Sequence, residues 1–182
     1  MAAPAHTIED FEDVIVERLK TGFPSLEVKA FPDRPEDYKF THPTGSLLLH
    51  YRGADFGDSQ GVGTISLRRK LLWDVTVYAK SLRSHRGTEG KGGALLILDA
   101  LRAHLTGWRP KGAVTGMMPE REDFLNRDGS AWIYVARFSL VAPLVQKTDE
   151  ETAVLLKRIT SRAESDGHVI RDIQKPTPEE GA

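Results

Sequence analysis

Cysteine is absent from the chain, which excludes disulfide frameworks, thiolate nucleophiles and Cys-ligated zinc or iron sites. Long apolar runs are missing too: stretches such as residues 46–50, with three Leu, fall far short of the roughly 20 residues of a membrane span. Neither sign of charge dominates. The 25 Lys plus Arg against 26 Asp plus Glu leave a formal charge of -1, which gives no whole-molecule hold on nucleic acid or an anionic membrane. No membrane partner and no sequence-specific nucleic acid binding are therefore expected. The segment MAAPAHTIEDFED is acidic and lacks a positive stretch followed by an apolar one, so no secretory signal is read there and assembly in a cytoplasm is expected. The 16 Gly and 10 Pro are too few for a low-complexity chain. A length of 182 residues allows one core that buries about 70% of the unfolded surface, hence one domain with an appendage.

What is present is a clear pattern of elements. Thr7 and Asp10 have capping-box spacing before a stripe of Ile8, Phe11, Ile15 and Leu19, so a first helix starts at Thr7 and stops at Gly22 and Pro24. Residues 26–31 alternate as a first strand, with Phe31 off pattern before Pro32. Residues 31–43, FPDRPEDYKFTHP, suit an irregular loop. Residues 46–52 read as a buried strand with Leu47, Leu49 and Tyr51 on one face, and residues 53–64, with four Gly and two Asp, as a long hairpin connection.

Residues 65–79 carry Leu67, Leu71, Trp73, Val75 and Val77 at odd positions and Arg68, Lys70, Asp74 and Thr76 at even ones, a strand with a polar outer face. It is far longer than the usual five or six residues, so part of it is expected to project as a hairpin arm. A basic, Gly-rich link over 81–93 leads to a second helix over 94–105 with Ala94, Ile97, Leu98, Leu101 and Leu105 on one stripe, ended by Thr106-Gly107. Residues 116–129, GMMPEREDFLNRDG, read as a polar loop, and residues 131–142 as a last strand with Trp132, Tyr134, Ala136, Phe138, Leu140 and Ala142 on one face.

This order predicts an α+β domain over 1–146, with a mainly antiparallel or mixed sheet, two helices on one face and a long projecting hairpin. Residues 147–182 form an extension, a charged helix over about 149–164 and then a disordered tail.

No constellation carries chemistry. GTEGKGG sits between a strand and a helix, but a phosphate loop needs Gly where His85 stands and Ser or Thr where Gly92 stands. Backbone amides with Arg83, Arg86 and Lys91 still offer a place for a phosphate or a partner's carboxylates. Glu120, Glu122 and Asp123, like Asp33, Glu36 and Asp37, read as surface-loop acids, and Glu27-Val28-Lys29 is too weak a signal for a nuclease. The six His are scattered, and no Ser lies in a Gly-x-Ser-x-Gly turn. Catalytic residues, metal ligands and cofactors are not expected. Trp73, Trp132, Tyr134 and Phe138 read as core rather than a base-stacking platform. Trp108 with Arg109 and Pro110 directly follows a helix; the indole is expected to cover the helix end and Arg109 to meet a carboxylate.

Three stretches, FPDRPEDYKFTHPTGSLLLHYRGADFG, LRAHLTGWRPKGAV and MMPEREDFLNRDGSAWIYVARFSLVAP, resemble the small tail protein of Mu-like contractile-tailed bacteriophages and prophages, a family read as tail terminators. The resemblance runs from about Ile8 to Val145. It implies a structural virion protein at the neck-proximal end of the tail, assembled in the bacterial host. Such a protein forms a ring, a homohexamer, that caps the tail tube, ends polymerisation and meets sheath and head-neck proteins. A head-tail joining or neck adaptor is the alternative. On this reading Arg68, Arg69 and Lys70, then Arg83, Arg86 and Lys91, are candidates for subunit or tube contacts. Pro35, Tyr38, His42, Pro43 and Gly45 would shape the loop into the second strand, and Trp108, Arg109 and Pro110 the exit of the second helix.

Overall fold

The longest period-two pattern in the chain becomes the centre of a five-stranded sheet. The computed structural model describes residues 6–32, 38–58, 66–83, 93–128 and 131–145, and the two short strands Glu164–Ser165 and His168–Val169. Its elements are α1 (Ile8–Gly22), β1 (Glu27–Ala30), β2 (Gly45–Phe56), β3 (Ser66–Ala79), α2 (Ala94–Leu105), β4 (Met118–Asp128) and β5 (Ala131–Val145), then β6 (Glu164–Ser165) and β7 (His168–Val169). Strand order is β1-β2-β3-β5-β4, with β1 parallel to β2 and the other neighbours antiparallel. The fold is α+β with a mixed sheet.

Both helices pack on the face that carries the odd positions of β3. Leu71, Trp73, Val75 and Val77 meet Leu47 and Leu49 of β2, Ala136, Phe138 and Leu140 of β5, and the buried stripes of α1 (Phe11, Ile15, Leu19) and α2 (Ile97, Leu98, Leu101). Thr7 caps α1 as the spacing predicts: Asp10 N donates to Thr7 Oγ1 at 3.1 Å and Thr7 N to the Asp10 carboxylate at 2.7 Å. The helices are clasped near their C-terminal ends. His104 Nε2 donates to the Arg18 carbonyl at 2.8 Å, and Arg18 Nη2 to the His104 carbonyl at 3.2 Å.

Three expectations need correction. Residues 53–56 continue β2 instead of starting a loop, because Gly53, at φ 146°, supports a bulge that most side chains would strain and the ladder resumes beyond it. The hairpin end is not a two-stranded arm: β5 runs beside β3 through Ser66↔Val145, so Arg68 to Lys70 lie within a three-stranded end of the sheet. Residues 118–128 are an edge strand and not a loop. Register shifts at Pro119/Arg121 and Phe124/Asn126 re-phase the side chains twice, which erases the alternation by which strands are recognised.

The chain divides into two units, Met1–Val145 and Gln146–Ala182. In the second, β6 and β7 pair antiparallel, Glu164 opposite Val169. The helix expected over 149–164 lies outside the described residues except at Glu164, which belongs to β6. The tail after 170 also lies outside them.

Candidate functional site

The structure separates the three basic residues of β3. Arg69 is half-buried and turned inward: Nη2 donates to the His6 carbonyl at 2.6 Å, tying the approach to α1 onto the sheet. Lys70 pairs with Glu120 at 2.8 Å, and Ser139 Oγ donates to the same carboxylate oxygen at 2.5 Å. These contacts, Lys70 foremost, hold the Glu120 carboxyl below its ordinary range. Arg68 is exposed, and its side chain has no partner among the described residues.

Arg68 lines an open groove of about 360 Å³ with Asp55, Phe56, Gly57, Lys70, Val114, Thr115 and Val141. The groove exists because β4 stops pairing with β5 at Ser139, and the segment before β4 takes over the vacated edge. There Val114 N donates to the Val141 carbonyl at 2.7 Å, and Val141 N donates to Thr115 Oγ1 at 3.0 Å. Phe56 is 63% exposed and Val114 41%, a costly display for side chains that gain by burial.

The loop into β2 crosses the helix-free face. The hydroxyls of Tyr38 and Ser46 lie 2.8 Å apart, and both reach Glu27 Oε2, at 3.0 and 3.1 Å. Lys29 first, then these hydroxyls, keep Glu27 below the ordinary carboxyl range, while burial pushes the Tyr38 phenol up to about 12. Tyr38 and Phe40 pack on Tyr78 with ring centroids 5.2 and 5.7 Å away. His42 Nδ1 accepts from the backbone N–H groups of Thr44 and Gly45, both at 3.3 Å, which turns the chain after Pro43 into β2. Gly45 starts β2 against the Tyr78 carbonyl, 2.7 Å from where a Cβ would stand, so no larger residue fits without moving backbone. Pro35 lies outside the described residues.

At the exit of α2, Gly107 adopts φ 77° and its N–H donates to the Met117 carbonyl at 2.8 Å, while Met117 N donates to the Trp108 carbonyl at 2.8 Å. Trp108 packs against the core, with the Arg18 guanidinium 5.5 Å above its ring. Arg109 is exposed and meets no carboxylate among the described residues, contrary to expectation; the cation over Trp108 is Arg18, from α1. Pro110 is buried, and its carbonyl accepts from Ala113 N at 3.1 Å. Arg83 is exposed, with its backbone where a Cβ on Gly93 would clash at 2.4 Å. Arg86 and Lys91 lie outside the described residues.

Sequence reasoning missed Asp74, Arg137, Glu120, Phe56 and Val114. A second groove of about 510 Å³ lies among Glu12, His50, Asp74 and Val135, where burial raises the Glu12 carboxyl above its usual value. Among the described residues no three His, Asp or Glu side chains are grouped to hold a metal ion, and no helix is long and apolar enough to cross a membrane.

Residues 15–163, which take in the five-stranded sheet, α2 and the second half of α1, match the Gp37 protein family. The chain belongs to that family. The Gp37 family is a phage-type protein family. No curated protein matches the chain.

Proposed function

We propose that the chain is a structural tail protein that forms a homo-oligomeric ring, caps the end of the tail tube and stops its polymerisation. On this proposal it works in the virion at the neck-proximal end, without catalysis or cofactor. Its partners are its own copies and the tube protein, with sheath and neck proteins next to them. Membership of a phage-type family supports this reading. The observation that carries it is the hairpin end of the sheet, which combines an exposed Phe56, an exposed Val114 and a cation without a partner among the described residues. Such a surface is built for another protein more than for a small substrate.

The test is electron microscopy of purified protein mixed with growing tail tubes, together with light scattering. A ring near six times the 20.2 kDa subunit mass, or a monomer that becomes a ring on tube ends, with tube growth arrested, is expected. A protein that stays monomeric and leaves tubes free to elongate overturns the proposal. Binding to DNA-filled heads and not to tube ends makes the chain a head-tail adaptor instead.

A further inference from the structure

We propose that the groove at the hairpin end receives the outer stripe of α1 from a second copy of this chain. The inference rests on the ring reading above and names the two surfaces that would close the ring.

Consider first what the groove asks for. Val114 and Val141 give it apolar walls, Phe56 borders its strand end opposite Arg69 in the ladder, Arg68 stands at its rim, and Asp55, opposite Lys70, brings a carboxylate into the lining. Lys70, also in the lining, is already neutralised by Glu120 at 2.8 Å. Because Lys70 pairs with Glu120 and stands opposite Asp55 in the ladder, Arg68 is the cation left for an incoming group. Its guanidinium beside the apolar walls selects an apolar side chain with a carboxylate next to it, since a charge-assisted hydrogen bond then forms as the apolar surfaces leave water.

The outer stripe of α1 carries that combination. Asp10, Asp13, Val14 and Glu17 are spaced i, i+3, i+4 and i+7, so they line one side of the helix, and all four are exposed. Val14 is 42% exposed although it is an apolar residue among acids. Asp13 has no side-chain partner among the described residues. The exposed apolar pairs of α2 and β4 fit less well. Leu95 and Leu96 of α2 have Asp99 near in sequence, but Arg102 holds it. Phe124 and Leu125 of β4 lie between the Arg121–Asp123 pair and Arg127.

The two surfaces point in opposite directions. The Phe11, Ile15 and Leu19 side of α1 packs on the helix-bearing face of the sheet, which turns Val14 outward, whereas Arg68 shares the even-position face of β3 with Lys70 and Asp74. One copy therefore cannot satisfy its own groove. A contact between two different patches is heterologous, passes from copy to copy, and ends only by closing a ring. Standard interfaces bury about 800 Å² per partner, so the groove is the centre of the contact and the flanking strand ends supply the rest.

The absence of Cys makes the test clean. Single-cysteine variants Val14→Cys and Phe56→Cys are mixed, cross-linked with a short bismaleimide and resolved under denaturing conditions, while light scattering gives the native mass. Covalent dimer is expected at least fivefold above that from either variant alone, and the double variant gives a ladder ending at ring size. Arg68→Glu in the Phe56→Cys partner should cut the mixed product about tenfold, and Asp13→Arg in the Val14→Cys partner should restore it. A native ring without Val14-to-Phe56 product overturns this contact and leaves the ring reading standing. A protein that gives no product, stays monomeric when tail tubes are added and leaves them free to elongate overturns both. Phe56→Cys dimers as abundant as the mixed product would make the contact isologous and overturn the proposal.

Discussion

Asp74 of β3 and Arg137 of β5 stand directly opposite in the sheet, and the guanidinium holds the carboxylate through both oxygens, Nε to Oδ1 at 2.7 Å and Nη2 to Oδ2 at 3.1 Å. Arg52 of β2 adds a longer contact at 3.4 Å. The pair is well shielded, with 10% of the Asp74 side chain exposed and 20% of that of Arg137, and the bond to Asp74 raises the Arg137 pKa further. Three strands are thus pinned at one level of the helix-free face. Removing one partner strands a buried charge, whereas removing both does not. Arg137→Met should therefore cost about 3–5 kcal/mol in urea unfolding, and Asp74→Leu with Arg137→Met together far less. Arg52→Ala, whose side chain is 54% exposed, should cost no more than about 1 kcal/mol. Equal losses for the single and double changes would show that the pair's charges are not what the site depends on.

Acid should weaken the fold through Glu120. Its folded pKa is depressed below the ordinary 4.5, first by Lys70 and then by Ser139. A depressed carboxyl supplies stability above its unfolded pKa and loses it as pH falls through the folded one. Glu120→Gln should lower the neutral-pH stability by no more than about 1 kcal/mol, because both partners are partly exposed. The gap from the parent should shrink as pH drops below 4.5. Thermal midpoints across pH 3–7 check this, and a gap that stays constant throughout argues against it.

Much of the fold was legible because its signals are local. The apolar residues of α2 recur at helical spacing between Gly93 and Thr106, and the described helix spans the expected residues, Ala94–Leu105. The odd positions of β3 face the core because a central strand under helices needs one apolar side. The misses are non-local. β4 hides because two bulges shift its phase and its helix-side Glu122 is answered by Arg102 of α2, 2.7 Å away. Asp74 reads as a solvent-facing residue until Arg137, 63 positions later, closes over it. The basic triplet looks uniform in sequence, yet Glu120 and His6 claim two of its members and leave the third.

Base should act through Tyr38. Burial is the main cause that pushes its phenol up to about 12 from an ordinary 10. A raised folded pKa contributes stability that is complete below the unfolded value and is lost as pH rises through the folded one, here from pH 10 towards 12. Tyr38→Phe removes that alkaline decline and also the hydroxyl that reaches Ser46 and Glu27, at about 0.5–1.5 kcal/mol for a typical hydrogen bond. The variant should be less stable at pH 8 with a flatter profile above pH 10, read by circular dichroism. A profile as steep as the parent's would place the titration on another group.

Reversing the basic residues one at a time should separate folding from assembly. Arg69→Glu breaks the 2.6 Å tie to His6 and brings a carboxylate towards a carbonyl, so it should destabilise the fold by about 1.5–3 kcal/mol, the range for hydrogen bonds to a charged group. Lys70→Glu sets a second carboxylate beside Glu120, a loss of roughly 1 kcal/mol at a partly exposed site. Arg68→Glu touches no partner among the described residues and should leave the urea midpoint within about 0.5 kcal/mol, as exposed substitutions do. Of the three, only Arg68→Glu is then expected to abolish ring formation and tube capping while the fold stays intact. Capping at the parental level by Arg68→Glu, scored as tube length in electron micrographs, would remove this end of the sheet from the contact.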